Sequence, residues 1–148
     1  MKALLQRVLS ASVSVDDTVV GSIGPGLVVL LGVGRDDTEE DADYLAQKVA
    51  NLRVFQRDAA EFDLSVVDIG GGVLAVSQFT LMADTRKGRR PSFVQAAPPE
   101  VARPLYERFV DSLTSLGITV ATGRFQQYMH VEIHNDGPVT VLLESNRA

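Results

Sequence analysis

The first part of the chain alternates between apolar and polar positions with the period of a β-strand. Residues 4–15 show partial period-two alternation, Asp16-Asp17 makes a turn, and residues 18–23 return, which predicts a β-hairpin. After the turn Gly24-Pro25-Gly26, residues 27–33 are continuously apolar. Such a run is typical of a strand that is buried on both faces.

Two later segments have the spacing of amphipathic helices. Thr38 resembles an N-cap, acidic residues crowd the turn that follows it, and apolar residues then recur at helical spacing, so we predict a helix over residues 39–53. Pro98 and Pro99 open the second helix, because proline is tolerated in a first turn, and Gly117 ends it. The inner face of this helix is spaced by four: Val101, Leu105, Phe109 and Leu113.

The remaining segments complete a mixed architecture. Residues 73–76 predict a second buried strand, while residues 58–63 are expected to form a loop and residues 64–67 a short strand. Three further strands are predicted near the C-terminus, at residues 118–122, 129–134 and 139–143. About seven strands and two helices favour an α/β (α+β) fold: one domain over residues 1–148, with a curved, barrel-like, mainly antiparallel or mixed sheet.

The last two predicted strands are separated by Gly137-Pro138. Proline fixes φ and donates no hydrogen bond, glycine reaches conformations closed to other residues, and an X-Pro bond can be cis at small cost. We therefore expect a turn that presents backbone rigidly, with almost no side chain. Such a turn suits recognition of shape at very close range.

Composition narrows the class of protein. The 148 residues are 45% hydrophobic and 22% charged, as in an ordinary globular protein with a substantial core. There is no cysteine, which excludes disulfides, thiolate metal sites and cysteine nucleophiles. No apolar stretch approaches the roughly 18 residues of a membrane span, and Arg7 interrupts the first apolar run. We expect a cytoplasmic protein with no membrane partner.

The charge is unevenly distributed. The net charge of −5 argues against a general nucleic-acid binder, because phosphate contacts favour a basic surface. Residues 84–103, however, carry a charge of +3, so this part of the chain could hold a polyanion locally or could be a solvated loop. Its cations lie mostly in one short run: Arg86, Lys87, Arg89 and Arg90.

Two sites could carry a chemical function, one as a metal site and one as a nucleophile. His130, Glu132 and His134 share one face of a strand and could ligate zinc, but no fourth ligand is suggested, and a solvated strand face has the same pattern. We predict no metal and no organic cofactor. Thr80, which follows a buried strand, could be a nucleophile or a hydrogen-bonding loop residue, and no activating base is evident.

Phe93 follows the basic run. It could stack on a base or anchor the loop in the core, and we favour the core role.

Six segments together resemble the D-aminoacyl-tRNA deacylases, of the D-tyrosyl-tRNA deacylase type, over nearly the whole chain. They are Gln6-Arg7-Val8, Gly26-Leu27 with Leu30-Leu31-Gly32-Val33, Asn51-Leu52-Arg53-Val54-Phe55, Ser77-Gln78-Phe79-Thr80-Leu81, Gly88-Arg89-Arg90-Pro91-Ser92-Phe93 and Asn135-Asp136-Gly137-Pro138-Val139-Thr140. The fourth and the last are the family's signature motifs. The resemblance implies hydrolysis of the ester of D-aminoacyl-tRNA, and of glycyl-tRNA mischarged on tRNA-Ala.

The resemblance also implies how such an enzyme works. In a homodimer, a cis Gly137-Pro138 would reach into the partner's active site and exclude L side chains sterically, with Arg7 steadying the turn. The 2′-hydroxyl of the terminal adenosine would assist catalysis, while Ser77, Gln78, Phe79 and Thr80 position the substrate and stabilise the oxyanion, mostly through backbone groups. The basic run is a candidate contact for the tRNA backbone.

One segment departs from the family pattern. Gln126-Gln127-Tyr128 follow Gly123-Arg124-Phe125 where relatives usually have smaller residues, so we carry no residue roles into this segment. A non-catalytic tRNA-binding module on the same fold is the alternative function.

Overall fold

The computed structural model describes residues 1–145, which contain eight β-strands and two α-helices. The strands are β1 (Lys2–Val15), β2 (Thr18–Ile23), β3 (Gly26–Gly32), β4 (Phe55–Arg57), β5 (Ala60–Leu64), β6 (Gly72–Ser77), β7 (Thr119–Thr122) and β8 (His130–Glu144). The helices are α1 (Glu39–Asn51) and α2 (Pro99–Ser115).

Six strands form one mixed sheet. Its order is β2-β1-β3-β6-β7, in which β2 and β3 pair with different ends of β1, and β8 pairs with β1 along most of its length. β1 is antiparallel to β2, β3 and β8, whereas β6 is parallel to both of its neighbours. Gly21 of β2 lies against Thr122 of β7, since a Cβ on Gly21 would be only 2.5 Å from the Thr122 carbonyl oxygen. The sheet is therefore nearly closed into a barrel, and the predicted fold class is confirmed.

The long connections between parallel strands carry the two helices, as parallel pairing requires. Both helices pack on the same face of the sheet. There the inner face of α2 (Leu105, Phe109, Leu113) meets Leu45 and Val49 of α1 and alternate residues of β3 (Leu27, Val29, Leu31). The opposite face of the sheet buries Val28, Leu74 and Val76. β3 is thus covered on both sides, as its continuous apolar run predicts.

Two local features agree with the sequence pattern. The β1–β2 turn has positive φ at Asp16 (48°) and Asp17 (64°), the conformation of a two-residue hairpin turn. Helix α1 begins where Thr38 and Asp41 predict it, because the Asp41 carboxylate accepts a hydrogen bond from the Thr38 N–H at 2.8 Å.

The prediction for residues 58–67 is wrong. Residues 58–63 belong to the hairpin of β4 and β5 rather than to a loop. Of the strand expected at residues 64–67, only Leu64 is in a strand, as the last residue of β5, and the chain then turns, with the Ile69 N–H bonded to the Ser65 carbonyl. The hairpin is mostly exposed, so its sequence carries no apolar alternation that would identify it.

The C-terminal prediction also needs correction. The two strands predicted around Gly137-Pro138 are a single strand, β8, which pairs with β1 along its length. The Gly-Pro pair therefore lies in a bulge within a strand, not in a turn between two strands.

Candidate active site

The polar segment after β6 marks one end of the sheet. Ser77 pairs with Leu31, and the Gln78 N–H donates to the Leu31 carbonyl at 2.8 Å before the chain enters a short 3₁₀ turn, Phe79–Met82. Thr80 is exposed, and its Oγ1 accepts a hydrogen bond from the Gln78 side-chain amide at 3.0 Å. The threonine hydroxyl is therefore held by a neutral amide and not by a base.

This segment forms one wall of a pocket of about 580 Å³. The other walls are the residues around the start of α2 and the loop that follows β7. The lining residues are Ser77, Gln78, Phe79, Thr80, Phe93, Ala96, Ala97, Pro99, Ala102, Phe125, Gln126, Gln127 and Met129. Sequence reasoning identified the first wall and missed the other two, although the small side chains of Ala96, Ala97 and Ala102 are the kind that leave space open.

None of these thirteen lining residues is an acid, a histidine, a lysine or an arginine. A hydroxyl nucleophile needs an activating base, and the lining of this pocket offers none to Thr80. His130 and His134 are exposed on β8 and do not line the pocket. The geometry therefore disfavours Thr80 as a nucleophile. The neutral groups of this wall are suited instead to positioning a ligand.

Phe93 corrects a second expectation. It is half-buried and lines the pocket, where its ring meets Phe79 edge to face with 5.1 Å between ring centroids. Phe79 is itself 57% exposed. The favoured core role of Phe93 is wrong, because the two rings together form an apolar wall of the pocket.

The basic run forms a loop next to Phe93, and the two ends of this basic loop are hydrogen-bonded to each other. Asp84 and Ser92 exchange two backbone hydrogen bonds of 2.8 Å, and Arg86 binds the Asp84 carboxylate through Nε and Nη2 at 2.9 and 2.7 Å. These hydrogen bonds from Arg86 lower the pKa of Asp84 to about 2. Arg86 thus braces the loop. Its other three cations, Lys87, Arg89 and Arg90, are exposed and make no ion pair within residues 1–145.

Arg7 lies opposite the bulge in β8. On β1, Gln6 pairs with Thr140 and Val8 pairs with Asn135, so four residues of β8 stand opposite Arg7 alone. The Arg7 Nε donates to the Asp136 carbonyl at 3.2 Å and lies 3.3 Å from the Asp136 carboxylate, while Nη1 donates to the Val54 carbonyl at 2.8 Å. One side chain therefore ties the bulge to the segment after α1.

Gly137 could not be replaced without strain in this bulge. Its φ is +121°, and a Cβ there would lie 2.8 Å from Arg7 Nη2 and 3.0 Å from Val139 Cγ2. The Gly137-Pro138 peptide bond is cis, and both residues are exposed. Asn135 closes the bulge by accepting a hydrogen bond from the Val139 N–H at 3.2 Å. The bulge thus presents its backbone outward.

Within one chain the bulge and the pocket do not meet. Arg7 pairs with Leu27, which pairs with Val73, and Ser77 lies four residues further along β6. With standard strand geometry the separation is about 14 Å across three strand spacings and about 13 Å along the strands. No residue of the bulge lines the pocket. The two segments therefore lie in different regions of the chain.

Nearly the whole chain matches a known family. A family model described as D-Tyr-tRNA(Tyr) deacylase matches residues 4–144. The chain belongs to the D-Tyr-tRNA(Tyr) deacylase family. A D-aminoacyl-tRNA deacylase from Symbiobacterium thermophilum is 58% identical over 147 residues, which cover 99% of this chain and 97% of that protein. One from Roseiflexus castenholzii is 59% identical over 145 residues, covering 98% of this chain and 92% of that protein.

Solved structures agree with a deacylase fold. A structure titled "c-Myc DNA Unwinding Element Binding Protein" superposes with a TM-score of 0.92 at 40% identity, over 97% of this chain and 98% of that chain. One titled as a probable eukaryotic D-amino acid tRNA deacylase gives a TM-score of 0.85 at 18% identity, with the same coverage. The second match concerns the fold alone. The predictions of family and of hydrolase class are confirmed.

The deacylase fold brings no metal-binding group together within residues 1–145. No set of three or more histidine, aspartate or glutamate side chains is placed there to hold an ion, so His130, Glu132 and His134 do not form a zinc site. In the same part of the chain, no helix is long and apolar enough to cross a membrane.

Proposed function

We propose that this chain hydrolyses the ester that joins a D-amino acid, or glycine, to the 3′ end of tRNA. Water adds to the ester carbonyl, the carbon–oxygen bond to the ribose breaks, and a free amino acid and a tRNA hydroxyl leave. The observation that best supports this function is the pocket at the end of β6. One wall of the pocket is the signature segment from Ser77 to Thr80, and none of the lining side chains is titratable.

Selectivity is proposed to come from a second copy of the chain. The bulge at Gly137 and Pro138 is exposed, rigidly tied by Arg7, and too far along the sheet to reach its own pocket. In a homodimer the bulge would enter the partner's pocket and face the α-carbon of the substrate. An L side chain would clash with the backbone there, whereas glycine and D-amino acids would pass.

Catalysis is proposed to rely on the substrate's own ribose. The pocket offers no general base, so the 2′-hydroxyl of the terminal adenosine would assist the attack on the ester. Backbone N–H groups of the segment from Ser77 to Thr80 would stabilise the developing oxyanion. Gln78 and Thr80, which bond to each other, would position the adenosine.

A three-substrate assay tests the proposal. Purified protein at catalytic concentration should release the amino acid from D-tyrosyl-tRNA and glycyl-tRNA and leave L-tyrosyl-tRNA intact, as followed by loss of radiolabelled ester. The matched control is Ala102→Trp, which should fill the pocket and stop hydrolysis while circular dichroism stays unchanged. Binding of tRNA without D-selective hydrolysis would favour the alternative, a non-catalytic tRNA-binding module.

The free cations of the basic loop are proposed to contact the acceptor-stem phosphates. Replacing both Arg89 and Arg90 by glutamine should raise KM for D-tyrosyl-tRNA and reduce the slope of log kcat/KM against log salt by about 1 to 2. Arg57→Gln is the matched control, because Arg57 lies on β4 and pairs with Asp63. A double variant with an unchanged salt slope would show that Arg89 and Arg90 do not contact phosphate.

A further inference from the structure

A second cavity of about 720 Å³ lies beside the active-site pocket, and the proposed function leaves it without a role. It is bounded by α2, by the end of β7 and by the loop that follows. Phe125 and Gln127 line both cavities, so the two spaces share a wall. A substrate that fills the first cavity could continue directly into the second.

The shared wall is a fixed aromatic surface. The Phe125 ring lies 6.1 Å from the Tyr106 ring, and the Tyr106 hydroxyl donates a buried hydrogen bond of 2.7 Å to the Ala75 carbonyl. Burial raises the pKa of Tyr106 to about 12, so this donor stays protonated. Arg103 lies over Phe125 with its Cζ 5.6 Å from the ring centroid, held by an ion pair with Glu107 at 3.0 Å.

A guanidinium beside an aromatic ring is a surface on which unpaired RNA bases stack. Two charged side chains of the second cavity could bind the polar groups of a nucleotide. The side chains of Arg124 and Asp111 are exposed, and neither makes an ion pair within residues 1–145. Arginine binds phosphate oxygens, and a carboxylate accepts a hydrogen bond from the exocyclic amino group of cytosine.

We propose that the second cavity binds the cytidine that precedes the terminal adenosine of the substrate. The base stacks against Phe125 and Arg103, its amino group donates to Asp111, and the phosphate that joins the cytidine to the adenosine lies at Arg124. This inference rests on the proposed function, because the first cavity must hold the aminoacylated adenosine for the next nucleotide to reach the second. Every tRNA ends in the same two nucleotides, so the cavity adds affinity without selecting among tRNAs.

Short synthetic substrates isolate this contribution. The test compares kcat/KM for 3′-D-tyrosyl-adenosine, D-tyrosyl-CpA and D-tyrosyl-UpA, with D-tyrosyl-tRNA as the reference. We expect CpA to exceed adenosine alone by at least about tenfold, the size of one good base contact. UpA should gain less, because uracil presents an oxygen to the Asp111 carboxylate where cytosine presents an amino group.

Variants assign the gain to residues through ratios of kcat/KM. Arg124→Gln should lower the ratio of CpA to adenosine by removing the phosphate contact, and it should keep the preference of CpA over UpA. Asp111→Asn should instead remove that preference, because an amide can donate to uracil. Arg57→Gln should keep both ratios. Folding of each variant is checked by its melting temperature.

The outcomes separate the two proposals. Hydrolysis of D-tyrosyl-tRNA without any advantage of CpA over adenosine alone would overturn the cytidine site and leave the deacylase function standing. Failure to hydrolyse D-tyrosyl-tRNA would instead overturn the deacylase function, and the cytidine site with it.

Discussion

Replacing Arg7 by alanine is expected to lower the preference for D-tyrosyl-tRNA over L-tyrosyl-tRNA at least about tenfold. Arg7 holds the bulge by donating to the Asp136 carbonyl, and its guanidinium lies against Gly137. Without it the bulge loses its tie to β1 and its backbone can move away from an L side chain. The measurement is kcat/KM for both substrates with the same protein preparation.

A stability effect will accompany the change in selectivity. The buried Val54 carbonyl loses its donor, which costs about 1–3 kcal/mol and lowers Tm by about 2–4 °C per kcal/mol. Gln6→Ala is the matched control, since Gln6 is the neighbouring residue on β1 and its side-chain amide donates to the exposed Thr140 hydroxyl. The preference for D over L should be unchanged in Gln6→Ala, measured well below either Tm.

Mixing two defective proteins shows which subunit supplies the bulge. Arg7→Ala spoils the bulge and Ala102→Trp fills the pocket, so a mixed dimer has one pocket that is open and faces an intact bulge from its partner. Random exchange of subunits should restore selective hydrolysis to about one quarter of the wild-type level, given two equivalent sites per symmetric dimer. If mixing restores no selective hydrolysis, the bulge does not act in the partner's pocket.

A substrate that ends in 2′-deoxyadenosine, esterified at its 3′-hydroxyl, should be hydrolysed at least about a hundredfold more slowly than the ribose form. An assisting general base contributes about 10² to 10⁴ in rate, and the lining of the pocket contains no side chain that could take over. The measurement is single-turnover hydrolysis with enzyme in excess, so that weaker binding of the deoxy form does not limit the rate.

Thr80→Ala gives the contrasting result for the same step. Thr80 is bonded to the neutral Gln78 amide, so its loss should reduce single-turnover hydrolysis of the ribose substrate by less than about tenfold. A loss as large as that of the deoxy substrate, in a variant with normal Tm and tRNA binding, would instead make Thr80 the nucleophile. Normal hydrolysis of the deoxy substrate would end the proposal of assistance by the ribose.

Elements with a buried face were predictable from the sequence, and exposed or interrupted ones were not. β3 and α2 have apolar patterns because they pack on a core, so residues 27–33 and the row Leu105, Phe109 and Leu113 identify them. Val101, at the start of the predicted row, is 37% exposed and does not belong to the inner face. β4 and β5 are exposed and gave no such pattern. The sequence pattern divides β8 at Pro138, because proline is excluded from the interior of most strands. Here it lies in a bulge on a strand whose one partner within residues 1–145 is β1.

The candidate site was predictable as far as its motif extends. Ser77 to Thr80 stood out as polar residues after a buried strand, but the facing walls come from Ala96, Ala102 and Phe125, which lie in other parts of the sequence. Only the fold brings these residues together. The bond from Arg7 to the Val54 carbonyl is of the same kind, since it joins residues 47 positions apart through a backbone oxygen that carries no sequence signal.

The neutral lining of the pocket has a consequence for how this protein can change over time. If the assisting hydroxyl belongs to the tRNA, no single substitution in the lining can delete the group that assists the attack. Mutations there would change which acyl groups enter, or how well they are held, while the chemistry stays with a nucleic acid whose end is shared by every tRNA. The group that assists catalysis would then be kept by the invariant 3′ end of tRNA, and residues of the pocket could change without removing it.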